Sequence, residues 1–260
     1  MTRTSRLQHP DFLAACASLS SQSDTTWLLG LGVGLGLTLG AAYGPPGLGQ
    51  VLVYLGLMVR AGLYLRAGDA QRDAGGAVIA QLFAMGLIAG VLELVIDWVL
   101  VHGISHGALV YLGPNDVVLL ASPVWMPLAW ACVIVELGYP TIRIFGAMRR
   151  GRSAATAATL TSVIIAIAAG VTVGFYEYFA AKAGWWKYEP ARVMLGDVCA
   201  AFIPLGEAFM FAAMLPVAAR MLSRPKHPRA AAIESGALFA LAIGAGYGFA
   251  YLFLEAGRPV

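Results

Sequence analysis

Apolar residues run along this chain in long blocks, broken by short stretches rich in arginine, glycine and proline. The blocks fall at 27–43, 48–66, 76–102, 117–138, 154–181, 195–219 and 232–254. A helix needs about 20 apolar residues to cross the hydrocarbon core of a bilayer. Within lipid the backbone must satisfy its own amides and carbonyls, and a helix does so inside one segment. The pattern therefore predicts an all-α polytopic integral membrane protein, with seven transmembrane helices in a single domain over 27–254. Residues 1–26 read as a cytoplasmic N-terminal segment with a short interfacial helix around Phe12–Leu19, and 255–260 as an external tail.

Composition agrees with the pattern. The 260 residues are 59% hydrophobic and 12% charged, with a mean hydropathy of +0.75. Soluble domains carry about 25% charged residues, so half that value leaves too few to cover a water-facing surface. The net charge is only +3, and the basic residues cluster between apolar blocks, which excludes a nucleic-acid footprint. Cys16, Cys132 and Cys199 have neither metal spacing nor a disulfide framework and read as small apolar residues. The N-terminus lacks the compact apolar core of a signal peptide.

Cationic loops orient such a chain. Arg3, Arg6, Arg66, Arg72, Arg143, Arg149, Arg150, Arg152, Arg220, Arg224, Lys226 and Arg229 fall on one side of the seven blocks, and Lys182, Lys187, Arg192 and Arg258 on the other. The expectation is a cytoplasmic N-terminus and an external C-terminus, in a bacterial inner membrane. The third helix then runs outward. It carries Glu93 near the midplane, Asp97 one turn higher and His102 near its outer end.

Acids inside an apolar block are costly and usually functional. Glu93, Asp97, Glu177 and Glu207 fall at one level of the bundle and are the candidate catalytic residues. Glu93 and Asp97, four apart, share a helical face. The plainer alternative for each is a proton shared with a neighbouring Ser, Tyr or His that only ties helices together. Asp197, in the first turn predicted for the sixth helix, reads more simply as a cap, and Glu136 and Glu234 as interfacial partners of the arginine loops.

The acids belong to an internal repeat. LELVIDWVLVHGISHGALVY with SPVWMPLAWA (92–131) parallels YEYFAAKAGWWKY with AAFIPLGEA (176–208). Each copy places a glutamate (Glu93, Glu177) before a glycine, a tyrosine (Tyr111, Tyr188) and an apolar-Pro-Leu triplet that opens the next helix (Met126-Pro127-Leu128, Ile203-Pro204-Leu205). Proline in a membrane helix frees a carbonyl, often at a cavity. Interrupted helices in corresponding places of two repeats point to a central site.

Other features divide between site and scaffold. Trp185, Trp186 and Tyr188 are either an aromatic belt or π faces lining a pocket for a carbocation or polyene. With Trp98, His102, Tyr111, Trp130 and Asp197 they form the candidate substrate-contacting set. His102 and His106 have helical i, i+4 spacing but lack a third metal ligand fixed by sequence, so an interfacial pair is the simpler reading. Gly103–Gly107 spells G-x-S-x-G but closes a membrane helix instead of joining strand to helix, and is set aside. Glycines 30–40 and 244–248 read as close-packing surfaces. Lys182, Lys187 and Lys226 all fall in predicted loops, which excludes a retinal Schiff base in the seventh helix. No diphosphate–magnesium motif or phosphate-cradling glycine loop occurs, so neither a metal nor another cofactor is expected. The remaining chemistry is carboxylic acid in an apolar pocket, where a carboxyl can hold its proton and act as a general acid.

Glu93, Gly103, Tyr111 and Pro127-Leu128-Ala129-Trp130, followed by Glu177, Gly184-Trp185-Trp186 and Ile203-Pro204-Leu205, resemble integral-membrane carotenoid hydratases and small membrane lycopene cyclases. More distantly they are similar to seven-helix membrane terpene cyclases. The resemblance covers about 92–208 and implies proton-initiated chemistry on an isoprenoid alkene or epoxide. Two places differ from those families: Gly206-Glu207-Ala208 stands where an Asn and a Gly-Trp pair are expected, and Glu177 where Asp is expected.

Two functions follow. One is a membrane enzyme, a cyclase or hydratase type acting on an isoprenoid or other lipid, with membrane lipids as its other partners. The alternative is a proton-coupled transporter or channel that relays protons through the same acids. Aromatic residues near the acids favour the enzyme. A non-catalytic scaffold does not account for so many carboxylates at one depth. The predicted orientation is tested by fusing topology reporters to the C-terminus: periplasmic reporter activity is expected, and cytoplasmic activity overturns it.

Overall fold

The computed structural model describes residues 6–45, 47–68, 73–104, 109–111, 117–188 and 191–255, with the backbone alone for 104 and 109–111. Seven helices are long and apolar enough to span a membrane: Ser21–Tyr43, Leu48–Ala67, Ala74–Gly103, Met126–Arg149, Ala154–Ala183, Phe202–Leu222 and Pro228–Glu255, spans one to seven. A short helix, Pro10–Ala17, precedes them, close to the expected interfacial helix but with Phe12 fully buried against Phe145, so that its largest apolar side chain faces protein.

Local chemistry sets the span ends. Ser20 and Ser23 form a reciprocal capping box at span one, and Asp73 accepts from the Gly75 and Gly76 amides at the start of span three. Ser153 caps span five, which closes on Gly184 at φ +70°, a left-handed position that glycine adopts without strain. Lys182 therefore belongs to the last turn of span five, and not to a loop, with its ammonium 4.7 Å from the Tyr43 ring.

The fourth and sixth spans begin later than their apolar blocks. Strand β2 (Val118–Leu119) pairs with β3 (Ser122–Pro123) in a hairpin, so span four starts at Met126 and runs to Arg149. Strand β5 (Met194–Leu195) pairs with β6 (Cys199–Ala200), and span six starts at Phe202. Apolar composition at 117–125 and 195–201 marks the hairpins' packing against the bundle end, where β3 and β6 are buried. Strand β1 (Leu109–Tyr111) pairs antiparallel with β4 (Trp186–Tyr188), with Val110 opposite Lys187.

This topology carries the repeat. In each copy a span is followed by a strand (β1, β4), a hairpin (β2–β3, β5–β6) and a proline-bearing span. The hairpin turns also match: Leu120 and Gly196 both sit at φ 62°. A β-branched or bulky residue rarely adopts that conformation, and the second copy relieves it with glycine.

Glycines bring spans three, four, six and seven together, as expected where lipid supplies no hydrophobic drive between helices. A Cβ on Gly86 would lie 2.7 Å from the Ala131 Cα, one on Gly90 2.6 Å from the Pro127 Cα, and one on Gly246 2.7 Å from the Gly206 carbonyl oxygen. The glycine-rich runs are less uniform than expected. Gly30, Gly34 and Gly244 pack closely against Tyr64, Arg60 and Ile96, whereas Gly32, Gly36 and Gly248 meet nothing within 4 Å.

Gly90 lies one turn from Glu93 and seats span three on span four. Gly90→Ala forces backbone apart and should cost about 1–3 kcal/mol by overpacking, read as a lower unfolding temperature in detergent. Gly248→Ala should leave that temperature unchanged or raise it; equal behaviour of the two variants would refute the close packing.

Candidate functional site

The bundle encloses a cavity of about 440 Å³, inside the range of roughly 300–1,000 Å³ typical of small-molecule sites. Glu93, Asp97, Glu177 and Glu207 all line it, and each is at most 7% exposed. Three spans thus bring the four sequence-predicted acids to one chamber. Their hydrogen-bond environments differ.

Glu177 has two donors on one oxygen. Gly184 turns the chain back so that β4 lies beside the helix that carries Glu177. Alternate strand residues share a face, and Trp186 Nε1 and the Tyr188 hydroxyl donate to the same Glu177 oxygen, at 2.6 and 2.7 Å. Burial and the neighbouring Glu177 push the Tyr188 phenol well above its ordinary pKa, so it remains a donor.

Asp97 accepts from the Ser122 hydroxyl on strand β3. Glu93, one turn away, has the Trp130 indole beside it as a hydrogen-bonding side chain, and its Oε2 is buried with no partner among the described residues. Glu207 accepts from the Tyr247 hydroxyl on span seven, while its own Oε2 is likewise buried and unpaired among the described residues. Gly206 permits this contact, since a Cβ there would meet the Tyr247 ring at 2.4 Å. A buried carboxyl oxygen without a donor is costly to leave so. Two of them fall in one chamber.

The walls are aromatic and aliphatic. Trp125 stacks on Trp186 with centroids 6.2 Å apart, and Tyr176 tilts against Trp186 at 6.0 Å. Phe202 meets Tyr188 and Tyr251 edge-on at 6.4 and 5.2 Å. Trp125, Trp186, Tyr176, Tyr188, Phe202 and Tyr251 all line the cavity, giving π faces close to the acids.

Other expected contacts fall elsewhere. Trp130, Trp186 and Tyr188 line the cavity, but Trp185 does not; its indole donates to the Gly49 carbonyl at 3.0 Å and ties span five to span two. Trp98 is 45% exposed on the lipid-facing side and stacks on His102 at 5.3 Å. His102, exposed and bonded to the Trp98 carbonyl, is outside the chamber, so it does not connect Asp97 to the exterior. Asp197 neither caps span six nor lines the cavity: it is exposed in the turn between β5 and β6. The sixth span begins at Phe202 and not at 195, so Asp197 lies ahead of its first turn. The Tyr111 side chain and His106 lie outside the described residues.

One pair departs from the interfacial expectation. Glu234 does bond arginines at that end of the bundle, Arg220 in the last turn of span six at 2.9 Å and Arg224 just after it at 2.6 Å. Glu136 is instead paired inside the membrane with Arg60 of span two, at 2.7 Å, and also accepts from Tyr64 at 3.3 Å. Both members line the cavity. Arg60 was legible as a charge within the apolar stretch LVYLGLMVRAGLYL, the one basic residue outside the loop count. Ser122, Trp125 and Tyr247 carried no such signal, because ordinary residue types in apolar company do not distinguish donors from packing.

A hydrophobic carbodiimide attacks carboxyls that carry a proton in apolar surroundings. Labelling followed by peptide mass spectrometry should modify Glu93, the acid whose second oxygen has no donor beside it, and spare Glu177, where two donors cover one oxygen. Preferential labelling of Glu177 would contradict the assignment of free oxygens.

No curated protein and no solved structure matches the chain. A family model does match, over residues 94–254, from the residue after Glu93 to the end of span seven and across most of both repeat copies. The chain therefore belongs to the family described as a domain of unknown function (DUF6989).

Proposed function

We propose that the protein is a membrane-embedded enzyme of the cyclase or hydratase type, in which a carboxylic acid protonates an alkene or epoxide of an isoprenoid or similar lipid. One observation carries this reading: Glu93 and Glu207 present unpartnered carboxyl oxygens to an apolar, aromatic-walled cavity within the membrane domain. The resemblance of residues 92–208 to isoprenoid-converting membrane enzymes points the same way.

The roles follow from the hydrogen bonds. Glu93 gives its proton to one alkene carbon, or to the epoxide oxygen with cleavage of a C–O bond, and becomes a carboxylate. The cation that results lies among Trp125, Trp186 and Tyr176, whose faces favour positive charge. Glu177, an acceptor of two donated hydrogens, supplies compensating negative charge. A second double bond of the substrate attacks the cation to close a ring, or water adds to it. Glu207 then takes the released proton through its free oxygen, so that protons balance. Asp97, one turn from Glu93 and bonded to Ser122 at the hairpin end of the bundle, is placed to return a proton to Glu93. In orientation, the arginine distribution supports a cytoplasmic N-terminus and a bacterial inner-membrane location.

Expression in an isoprenoid-producing host, with mass spectrometry of the lipid extract, should reveal a product isomeric with a host polyene or larger by one water. Glu93→Gln preserves shape and removes the proton, and turnover should fall by roughly 10²-fold or more, with the unfolding temperature retained. Full activity of Glu93→Gln beside an inactive Glu177→Gln would move the donor to the second copy. Proton flux in proteoliposomes with no lipid product would favour the transporter instead.

A further inference from the structure

Arg60 and Glu136 line the same cavity as the four acids but take no part in the proton chemistry. Glu136 lies six residues along span four from Trp130, which abuts Glu93; at 1.5 Å per residue that places the ion pair about 9 Å deeper in the bundle. The cavity continues past it to Pro140 and Ile144. The chamber is therefore elongated, with its titratable groups near one end and one charged pair partway along an apolar wall.

An ion pair at such a place is a poor way to hold two helices. Removing both charges from water costs as much as their attraction returns, and apolar residues of similar volume are often as stable or more so. The guanidinium is also incompletely used: Nη1 bonds Glu136 and Nε bonds the Gly56 carbonyl at 3.2 Å, so that Nη2 has no acceptor among the described residues. Glu136 uses Oε1 for both Arg60 and Tyr64. The pair thus offers a spare donor beside a spare acceptor, and its charges cancel.

We propose that Arg60 and Glu136 form a recognition site for a neutral hydroxyl, phenolic or alcoholic, at the end of an otherwise apolar substrate. A hydroxyl both donates and accepts, matching the two spare atoms. A carboxylate or phosphate would place a second negative charge beside Glu136, and a bare hydrocarbon would leave both groups unsatisfied. The inference rests on reading the cavity as a substrate site, and it narrows the substrate to an isoprenoid with an oxygenated end about 9 Å, or six helical residues, from the bond that is protonated.

The test is binding, independent of turnover. Purified full-length protein in detergent is titrated with a farnesylated phenol, the same compound lacking the hydroxyl, and a farnesylated benzoate, following the fluorescence of the cavity tryptophans. A hydrogen bond to a charged group predicts about ten- to hundredfold tighter binding of the phenol than of the deoxy compound. In the double variant Arg60→Met with Glu136→Leu, which leaves no lone buried charge, the two should bind within about threefold of one another, near the wild-type value for the deoxy compound. Equal binding of phenol and deoxy probes by the wild type, binding of neither, or a preference that survives in the double variant overturns the proposal. Tightest binding of the benzoate overturns its neutral-hydroxyl assignment. Normal turnover by Glu93→Gln would sink the catalytic reading while leaving the binding preference intact, so the two failures are distinct.

Discussion

A carboxyl group inside hydrocarbon must meet a donor or keep its own proton, and this constraint organises the structure. Asp24 at the start of span one meets Tyr139 and Arg143, Glu136 meets Arg60 and Tyr64, and Glu234 meets Arg220 and Arg224. Glu255, at the end of span seven, accepts from the Arg192 and Val193 amides next to β5. Each of these ties one segment to another. Against that pattern the half-satisfied Glu93 and Glu207 stand out. The protein has donors to spare elsewhere in the bundle and places none on those two oxygens.

The hairpin end of the bundle exists to serve the acids. Strand β4 aims two donors at Glu177, and strand β3 brings one to Asp97. The two copies of the repeat have then diverged in chemistry. Counting from the matched Pro127 and Pro204, Trp130 corresponds to Glu207 and Ser122 to Cys199; counting from Glu93 and Glu177, Asp97 corresponds to Ala181. The first copy holds two acids on one helical face with a donor for the outer one. The second holds a glutamate with two donors and another that leans on span seven. A duplicated frame with unlike occupants gives the acids unlike surroundings, which the proposed division into proton-giving and charge-holding positions requires.

Much of this was readable from residue pattern alone. Apolar blocks of membrane length located the seven spans, because lipid leaves the backbone no other arrangement. Intramembrane acids pointed to the cavity that they line, because their cost makes them informative. The repeat was visible in the glutamates and the Pro-Leu pairs. Its strands were not: Val117–Leu120 and Met194–Leu195 are as apolar as a helix, and periodicity over so few residues cannot separate a hairpin from the start of a span. Asp197 was misplaced for that reason. Tyr247 and Ser122 were invisible because their role depends on which helix faces which, a matter of tertiary packing. Arg60 had the opposite problem. The charge was plain, but its partner lay 76 residues away.

The ion pair bears on how the whole cavity works. In an apolar chamber water is the competitor, both for any cation formed and for any polar recognition. The wall that excludes it near the acids, Trp125, Trp186 and Phe202, is continuous with the aliphatic wall of Val133, Leu137 and Ile165 toward Arg60. Low polarity over that length strengthens each remaining electrostatic contact. On the proposed reading a few polar groups then suffice to fix a flexible chain: one pair to hold the oxygenated end, one acid to meet the reacting bond, and a separation set by the rise of span four. Because the helix is rigid, that separation acts as a ruler. Which double bond is reached follows from the length of chain between the two anchors, so regioselectivity in such a site is a property of helix geometry more than of the residues beside the reacting carbon.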